Sequence, residues 1–211
     1  LRTRTAFHWL KTEGRVEEYY DYLKNKISRD ELWAKVPEHL IKSVINTEIS
    51  EETLPNIFKQ IDTELGKKKV DVVIGGPPCQ AYSIAGRSRN KGKSDYKPEE
   101  DHRHFLYKEY LRIIQKNRPD IFVMENVKGI LSSKINGDFI FHQILRDLAS
   151  PNVALDMPDD GLRYKIVSLV NDEVFQDGDD PKLLDAKKFI IQAEEYGIPQ
   201  ARHRVILLGI R

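Results

Sequence analysis

Val70-Asp71-Val72-Val73-Ile74-Gly75-Gly76-Pro77-Pro78-Cys79-Gln80 is the stretch that decides how the rest of the chain reads. Val70 to Ile74 is short, apolar and β-branched, the pattern of a buried strand of parallel type. Gly75-Gly76-Pro77-Pro78 ends it in a tight loop, and the two prolines stiffen the backbone that carries Cys79. A second buried run, Ile121 to Met124, comes after Arg118-Pro119-Asp120 and leads into Glu125-Asn126-Val127. In open α/β sheets ligands bind beyond the carboxyl ends of the strands. Cys79 and Glu125 stand at two such ends, so they can meet in space although they are far apart in sequence.

Working outward, the first third reads as helical. Val16, Tyr19, Tyr20, Leu23 and Ile27 recur at helical spacing. Pro37 opens a further helix with Leu40, Ile41, Val44 and Ile45 as its apolar side, and Ser50-Glu51-Glu52 starts another that Gly66 stops. Downstream, helical patterns over Phe105 to Ile114 and Phe139 to Leu148 alternate with strand patterns. The later strands are expected at Tyr164 to Val170, Lys188 to Gln192 and Val205 to Ile210. Such alternation predicts an α/β sheet with helices on both faces. The last strands have little helix between them, which predicts an antiparallel hairpin at one sheet edge. Residues 172–185 carry six acids against Lys182 and read as a solvated loop. Helical patterns up to Gly66 are thus expected to give way to an α/β part.

Composition narrows the function. Of 211 residues, 40% are hydrophobic and 32% charged, which suits one sizeable domain with a core and a water-facing surface. Lys plus Arg is 34 and Asp plus Glu is 33, so a wholly basic nucleic-acid coat is excluded and any polyanion must meet a local patch. No apolar run approaches the ~18 residues of a membrane helix. The single cysteine excludes an internal disulfide and a multi-cysteine zinc site. His102 and His104 have no metal partners at a convincing spacing, so no metal is expected.

Each candidate residue has an ordinary reading beside the chemical one. Free cysteines are mostly small buried hydrophobes. Cys79, however, follows two prolines in a strand-end loop, where a thiol serves as a nucleophile. Glu125 can be a helix-capping carboxylate. Following Ile121-Phe122-Val123-Met124, it also leaves a buried run, and burial there would favour the protonated carboxyl. Gln200-Ala201-Arg202-His203-Arg204 precedes the last strand, and alternation from His203 puts Arg202 and Arg204 on one face, where two guanidiniums can hold a phosphate and a carbonyl oxygen. Arg87 to Lys97, with Arg87, Arg89, Lys91, Lys93 and Lys97, is either an ordinary surface loop or a basic segment that closes on a phosphate backbone.

Taken together, Gly-Gly-Pro-Pro-Cys-Gln-Ala-Tyr-Ser-Ile-Ala-Gly (75–86), Glu-Asn-Val (125–127) and Gln-Ala-Arg-His-Arg (200–204) resemble the cytosine-C5 DNA methyltransferase family, over about residues 46–211. The resemblance implies part of a Rossmann-like class I methyltransferase sheet over 46–211, mostly parallel with an antiparallel edge hairpin, preceded by a helical segment over 1–45 that looks like an insertion relative to the family core. It implies transfer of a methyl group from S-adenosylmethionine to C5 of cytosine, with Cys79 adding to C6. Glu125 would hold N3 and the exocyclic amine, Arg204 the O2 and Arg202 the backbone phosphate. Gln80 and Ser83 would fill the gap left by the extruded base or touch phosphate, with Arg87 and Arg89 on the same basic segment. Glu48 and Ile49 would contact the adenine of S-adenosylmethionine, with Pro78 and Leu106 lining the same pocket. A thiol after Gly-Pro-Pro separates this pattern from amino-group methyltransferases, which place an aromatic residue there.

The resemblance also has departures. The family's glycine-rich cofactor loop, its ribose-gripping acid and its target-recognition domain have no counterpart here. The chain is therefore expected to be a fragment, inactive in isolation, that self-associates through an unprotected sheet edge. Double-stranded DNA is the expected substrate and a cognate restriction endonuclease the expected companion, in a bacterial cytoplasmic setting with no membrane partner. Two alternatives remain: a transfer-RNA cytosine-5 methyltransferase, and a non-catalytic methyltransferase-like scaffold that binds DNA.

Overall fold

The structure, a computed structural model, describes residues 1–78, 106–135 and 137–211. The chain forms two compact units, Leu1–Gly66 and Lys67–Arg211.

The first unit holds five helices, α1 (Arg2–Thr12), α2 (Val16–Leu23), α3 (Arg29–Ala34), α4 (Glu38–Lys42) and α5 (Leu54–Leu65). Ala6, Leu10, Leu32 and Val36 are buried at its centre, with Trp9, Tyr19, Tyr22 and Trp33 packed around them. The helix expected to run through Ile27 stops at Leu23, and Asn25 takes a left-handed φ of 57°. Ser28 then opens α3 through a reciprocal cap: its N–H donates to Glu31 Oε2 at 2.7 Å, and its Oγ accepts from the Glu31 N–H at 3.2 Å. The helix expected from Ser50 begins only at Leu54. Its first residues are a turn closed by Thr53 Oγ1, which accepts from the Ser50 N–H at 2.9 Å and donates to the Glu48 carbonyl at 2.5 Å. Gly66 ends α5 at φ 59°, as its position predicts.

In the second unit, β1 (Val72–Gly75), α6 (Tyr107–Asn117) and β2 (Ile121–Val127) come first. A separate hairpin of β3 (Lys134–Ile135) and β4 (Asp138–Phe139) leads into α7 (Ile140–Ala149) and α8 (Pro151–Ala154). The chain finishes with β5 (Lys165–Val167), β6 (Val174–Phe175), β7 (Ile190–Gln192) and β8 (His203–Ile210). The main sheet has the order β1-β2-β8-β5-β6, with β7 also paired to β8. β1 and β2 are parallel and the other pairings antiparallel, so β1, β2, β5 and β7 point one way and β8 and β6 the other. The α/β class and the antiparallel part expected from the sequence are both present. The final strand lies inside the sheet, between β2 and β5, because it is long enough to serve several partners. One side of it pairs with β2 along the whole length, and the other takes β5 near Ile210 and β7 near His203.

One face of this sheet makes the core. Phe122, Met124, Val205, Leu207, Ile166 and Phe175 are buried with Tyr107, Tyr110, Leu111 and Ile114 of α6 and Ile140, Phe141, Ile144, Leu145 and Leu148 of α7. Both helices thus cover the same face, where the sequence pattern leads one to expect helices on both. The alternate positions on the other face are exposed, among them Val72, Ile121, Ile210 and Ile74, the last at 78%. Two aromatic rings replace side chains that the glycines lack. Phe122 faces Gly209 across the β2–β8 pair, and a Cβ on Gly209 would stand 2.1 Å from its ring. The Tyr110 ring covers Gly75 in the same way, and its hydroxyl donates to the Val123 carbonyl at 2.9 Å. Phe122 also meets Tyr164 edge-on at 5.0 Å, and the Tyr164 hydroxyl, pushed up to about 12 by burial, donates to the Pro119 carbonyl at 2.9 Å.

Two stability outcomes are expected. Gly209→Ala should destabilise the protein by about 1–3 kcal/mol in urea unfolding through overpacking, and Phe122→Leu in the same chain should recover part of the loss. The second concerns Asp147, half-buried on α7, whose Oδ2 accepts from the Tyr107 hydroxyl at 2.5 Å. Burial raises its carboxyl above the usual carboxylate range, with the Tyr107 hydrogen bond opposing. A raised folded-state value makes its contribution complete below the unfolded pKa of about 3.9 and lost as pH rises through the folded value. Asp147→Asn should therefore gain stability relative to the parent protein as pH goes from about 4 to 7. Parallel stability curves for the two proteins would contradict this.

Candidate functional site

β2 continues past Met124, so Glu125 and Asn126 are strand residues and point to opposite faces. Asn126 goes inward and is buried. Its Oδ1 accepts from the Val127 N–H at 2.9 Å, and its Nδ2 donates to the Pro77 carbonyl at 3.3 Å. One side chain thereby ties the end of β2 to the loop after β1. Glu125 goes the other way. The β2–β8 register sets Glu125 against Ile206, which makes Arg204 its diagonal neighbour on the same face. Arg204 Nε lies 2.8 Å from Glu125 Oε1, with side chains 24% and 42% exposed respectively. The deep burial expected for Glu125 is therefore not what the fold provides. It stands on the open face of the sheet, beside a cation.

The loop after β1 closes on the same carboxylate. Val72 to Gly75 pair with Ile121 to Met124, and continuing that register brings Gly76 beside Glu125. A Cβ on Gly76 would lie 3.2 Å from Glu125 Oε2. Glycine here allows the backbone to approach the acid closely. Pro77 is buried and Pro78 exposed. Arg204 Nη1 donates to the His203 carbonyl at 2.8 Å, so Nη2 is the part of the guanidinium left over by these contacts.

Arg202 sits just before β8 and is exposed, and its carbonyl accepts from the Ala193 N–H at 3.1 Å. His203, between the two arginines, is held by Glu194, with Nε2 2.6 Å from Oε1. Glu194 lies six positions before Gln200, outside the quoted motifs, and no pattern marked it. Gly76 and Asn126 were quoted only as parts of motifs, and their packing roles come from the structure. Cys79, Gln80, Ser83, Arg87 and Arg89, with His102 and His104, lie outside the described residues.

Of the residues assigned to the methyl donor, Glu48 and Ile49 are exposed residues of the first unit, while Pro78 and Leu106 belong to the second. Leu106 directly precedes α6. Among the described residues no group of three His, Cys, Asp or Glu side chains could hold a metal ion, and no helix is long and apolar enough to cross a membrane.

Asn126→Ala should cost about 1–3 kcal/mol by leaving the Val127 N–H without its acceptor. It should also speed amide hydrogen exchange at Gly75 and Gly76, the residues of this loop that carry an N–H. A loss of stability with exchange there unchanged would show that the link to Pro77 does not hold the loop.

Comparison with known proteins places this geometry. The description of the C-5 cytosine-specific DNA methylase family matches residues 29–152. The type II methyltransferase M.Bpa9945I of Bacillus paralicheniformis is 28% identical over 233 aligned residues, which cover 100% of this chain and 45% of that protein. M1.HphI of Haemophilus parahaemolyticus is 28% identical over 98% of this chain and 41% of its own length. M.XorII of Xanthomonas oryzae pv. oryzae is 30% identical over 70% of this chain and 25% of its own. The chain thus spans less than half the length of these relatives. Its strand ends carry the acid and the arginine that the three motifs call for, and over half its residues match one family description: the chain belongs to the C-5 cytosine-specific DNA methylase family.

Proposed function

We propose that this chain is part of an S-adenosylmethionine-dependent DNA cytosine-5 methyltransferase of a type II restriction–modification system, acting on duplex DNA whose target base is turned out of the stack. The observation that carries the reading is the Glu125–Arg204 pair on the open sheet face, with the Gly75-Gly76-Pro77-Pro78 loop closed onto it. With one oxygen engaged by an arginine, the carboxyl keeps the other for the cytosine edge, where carrying a proton it donates to the ring nitrogen N3 and accepts from the exocyclic amine. Arg204 Nη2 is the donor available to the carbonyl oxygen on the same ring edge. Exposed Arg202, at the start of the strand, suits a phosphate.

C5 of cytosine is a weak nucleophile. The Cys79 thiolate adds to C6, forming an S–C6 bond and making C5 enamine-like. C5 takes the methyl group that S-adenosylmethionine supplies. Loss of the C5 proton to a base then re-forms the 5,6 double bond and expels the thiolate. The Glu125 carboxyl donates its proton to N3, which neutralises the negative charge that the addition places on the ring, and recovers it when the thiolate leaves. The exposed carboxylate of Glu48, beside the apolar Ile49, is a donor set compatible with the adenine portion of the methyl donor. A cognate endonuclease is the companion activity in such a system.

The test uses the full-length protein, a methyl-labelled donor and duplex DNA containing 5-fluorocytosine. A covalent adduct at Cys79 is expected, and Cys79→Ser should lose both adduct and methyl transfer. Glu125→Gln should lower kcat by about 10²–10⁴-fold, the usual range for a proton-handling side chain. Absence of the adduct, unchanged activity in Cys79→Ser, or preference for transfer RNA over duplex DNA would each refute the reading.

A further inference from the structure

A cleft of about 510 Å³ opens on the face of the sheet that packs the core, since its Leu131, Ala186 and Ile190 pack against the core, and neither the motifs nor the proposed chemistry uses it. Its walls are two 3₁₀ turns. One, Lys128–Ser132, follows β2 directly, three positions after Glu125. The other, Ala186–Phe189, leads into β7, whose Ile191 pairs with Arg204. Both turns pack on β8. The cleft therefore lies at the same end of the sheet as the Glu125–Arg204 pair.

Its chemistry is that of a site for a polyanion with an apolar body. Leu131, Ala186 and Ile190 line it, and Lys128 and Lys187 supply two exposed ammonium groups. Among the described residues neither lysine has an ion-pair partner. Asp185 also lines the cleft. Its Oδ1 accepts from the backbone N–H of Lys187 at 3.1 Å, so it caps the turn that carries the lysine, and the two ammonium groups outnumber it. The neighbouring lysine, Lys188, is engaged with Glu173 at 2.8 Å, so Lys128 and Lys187 are cations that this region leaves over. With a formal net charge of only +1, the chain cannot attract a nucleic acid by its overall field and must do so through such local groups.

We infer that this cleft holds a stretch of the DNA sugar–phosphate backbone adjoining the target cytosine, with Lys128 and Lys187 on phosphate oxygens and Leu131 and Ile190 against the sugar. The inference rests on the proposed action on duplex DNA and adds a subsite to it. A strand whose base enters the Glu125–Arg204 site must continue past it over the end of the sheet, and the cleft is a basic concavity at that end among the described residues. Contacts of this kind position the strand and carry no sequence information themselves.

Each phosphate contact releases counterions, so it shows in the salt dependence of binding rather than in affinity at one condition. The experiment uses the full-length protein and a fluorescent duplex containing the sequence it methylates, identified by bisulfite sequencing of DNA from cells expressing it. Binding is measured across a range of KCl concentrations. Lys128→Ala and Lys187→Ala should each lower the slope of log K against log[KCl] by about 0.9, and the double variant by about twice that. Lys128→Arg and Lys187→Arg should keep the parent slope. Lys165→Ala, exposed at the opposite end of β8 beside Ile210, should leave slope and methylation unchanged. A double variant with the parent slope overturns the inference. So does one that loses affinity with its slope intact, since the lysines would then act through the fold or on a different partner. If the parent protein neither binds nor methylates duplex DNA, the proposed function fails and the subsite with it. If it methylates normally while the double variant keeps its slope, only the subsite fails.

Discussion

The antiparallel ladder between β2 and β8 is the constraint on which the second unit depends. Seven residue pairs, from Ile121↔Ile210 to Val127↔Arg204, fix the two strands in one register. Because side chains alternate, that register puts Phe122, Met124, Val205 and Leu207 on the buried face and Glu125 and Arg204 together on the other. A slip by one residue would exchange the faces, sending the acid and the arginine into the core and the core into water. The cost of that exchange is what holds the site in place. The Glu125–Arg204 pair itself is partly exposed and contributes about 1 kcal/mol or less to stability. It is a positioned pair on a frame that burial maintains.

The frame is completed by close approaches that only glycine allows. Gly209 lets the Phe122 ring lie across the ladder, and Gly75 lets Tyr110 bring α6 down onto β1. Gly76 performs the same service on the open face, where the thing approached is the Glu125 carboxylate rather than an aromatic ring. Asn126 then ties the loop to β2 from the buried side. The loop that leads to Cys79 is thus held, up to Pro77, against both faces of the strand that carries the acid.

Much of this architecture was legible in the residues. Val72 to Ile74 and Ile121 to Met124 are apolar runs, and both form strands, although Val72, Ile74 and Ile121 stand on the exposed face. Gly66 marked the end of α5, since it takes a left-handed conformation that other residues avoid. Other boundaries were hidden. Ile27 continues the helical spacing of Val16 to Leu23, yet the Ser28–Glu31 cap starts a new helix, because capping satisfies backbone donors that spacing ignores. Ser50 looked like a helix start, and Thr53 diverts its backbone into a turn. The central place of β8 was not visible either, for local pattern says that a strand exists and not which strands it lies between.

What the sequence by itself determined was which chemistry-bearing residues stand at strand ends: a thiol after two prolines, an acid after a buried run, and two arginines ahead of the last strand. Those are local facts, written in covalent order and hydrophobic pattern. Only the tertiary structure decided that Arg204 is the partner of Glu125, that the acid stands on a half-open face instead of in the core, and that Lys128 and Lys187 share a cleft. Each of these depends on pairing between segments distant in the chain. Register and layer order are set by the packing of the whole sheet, and no single segment contains them.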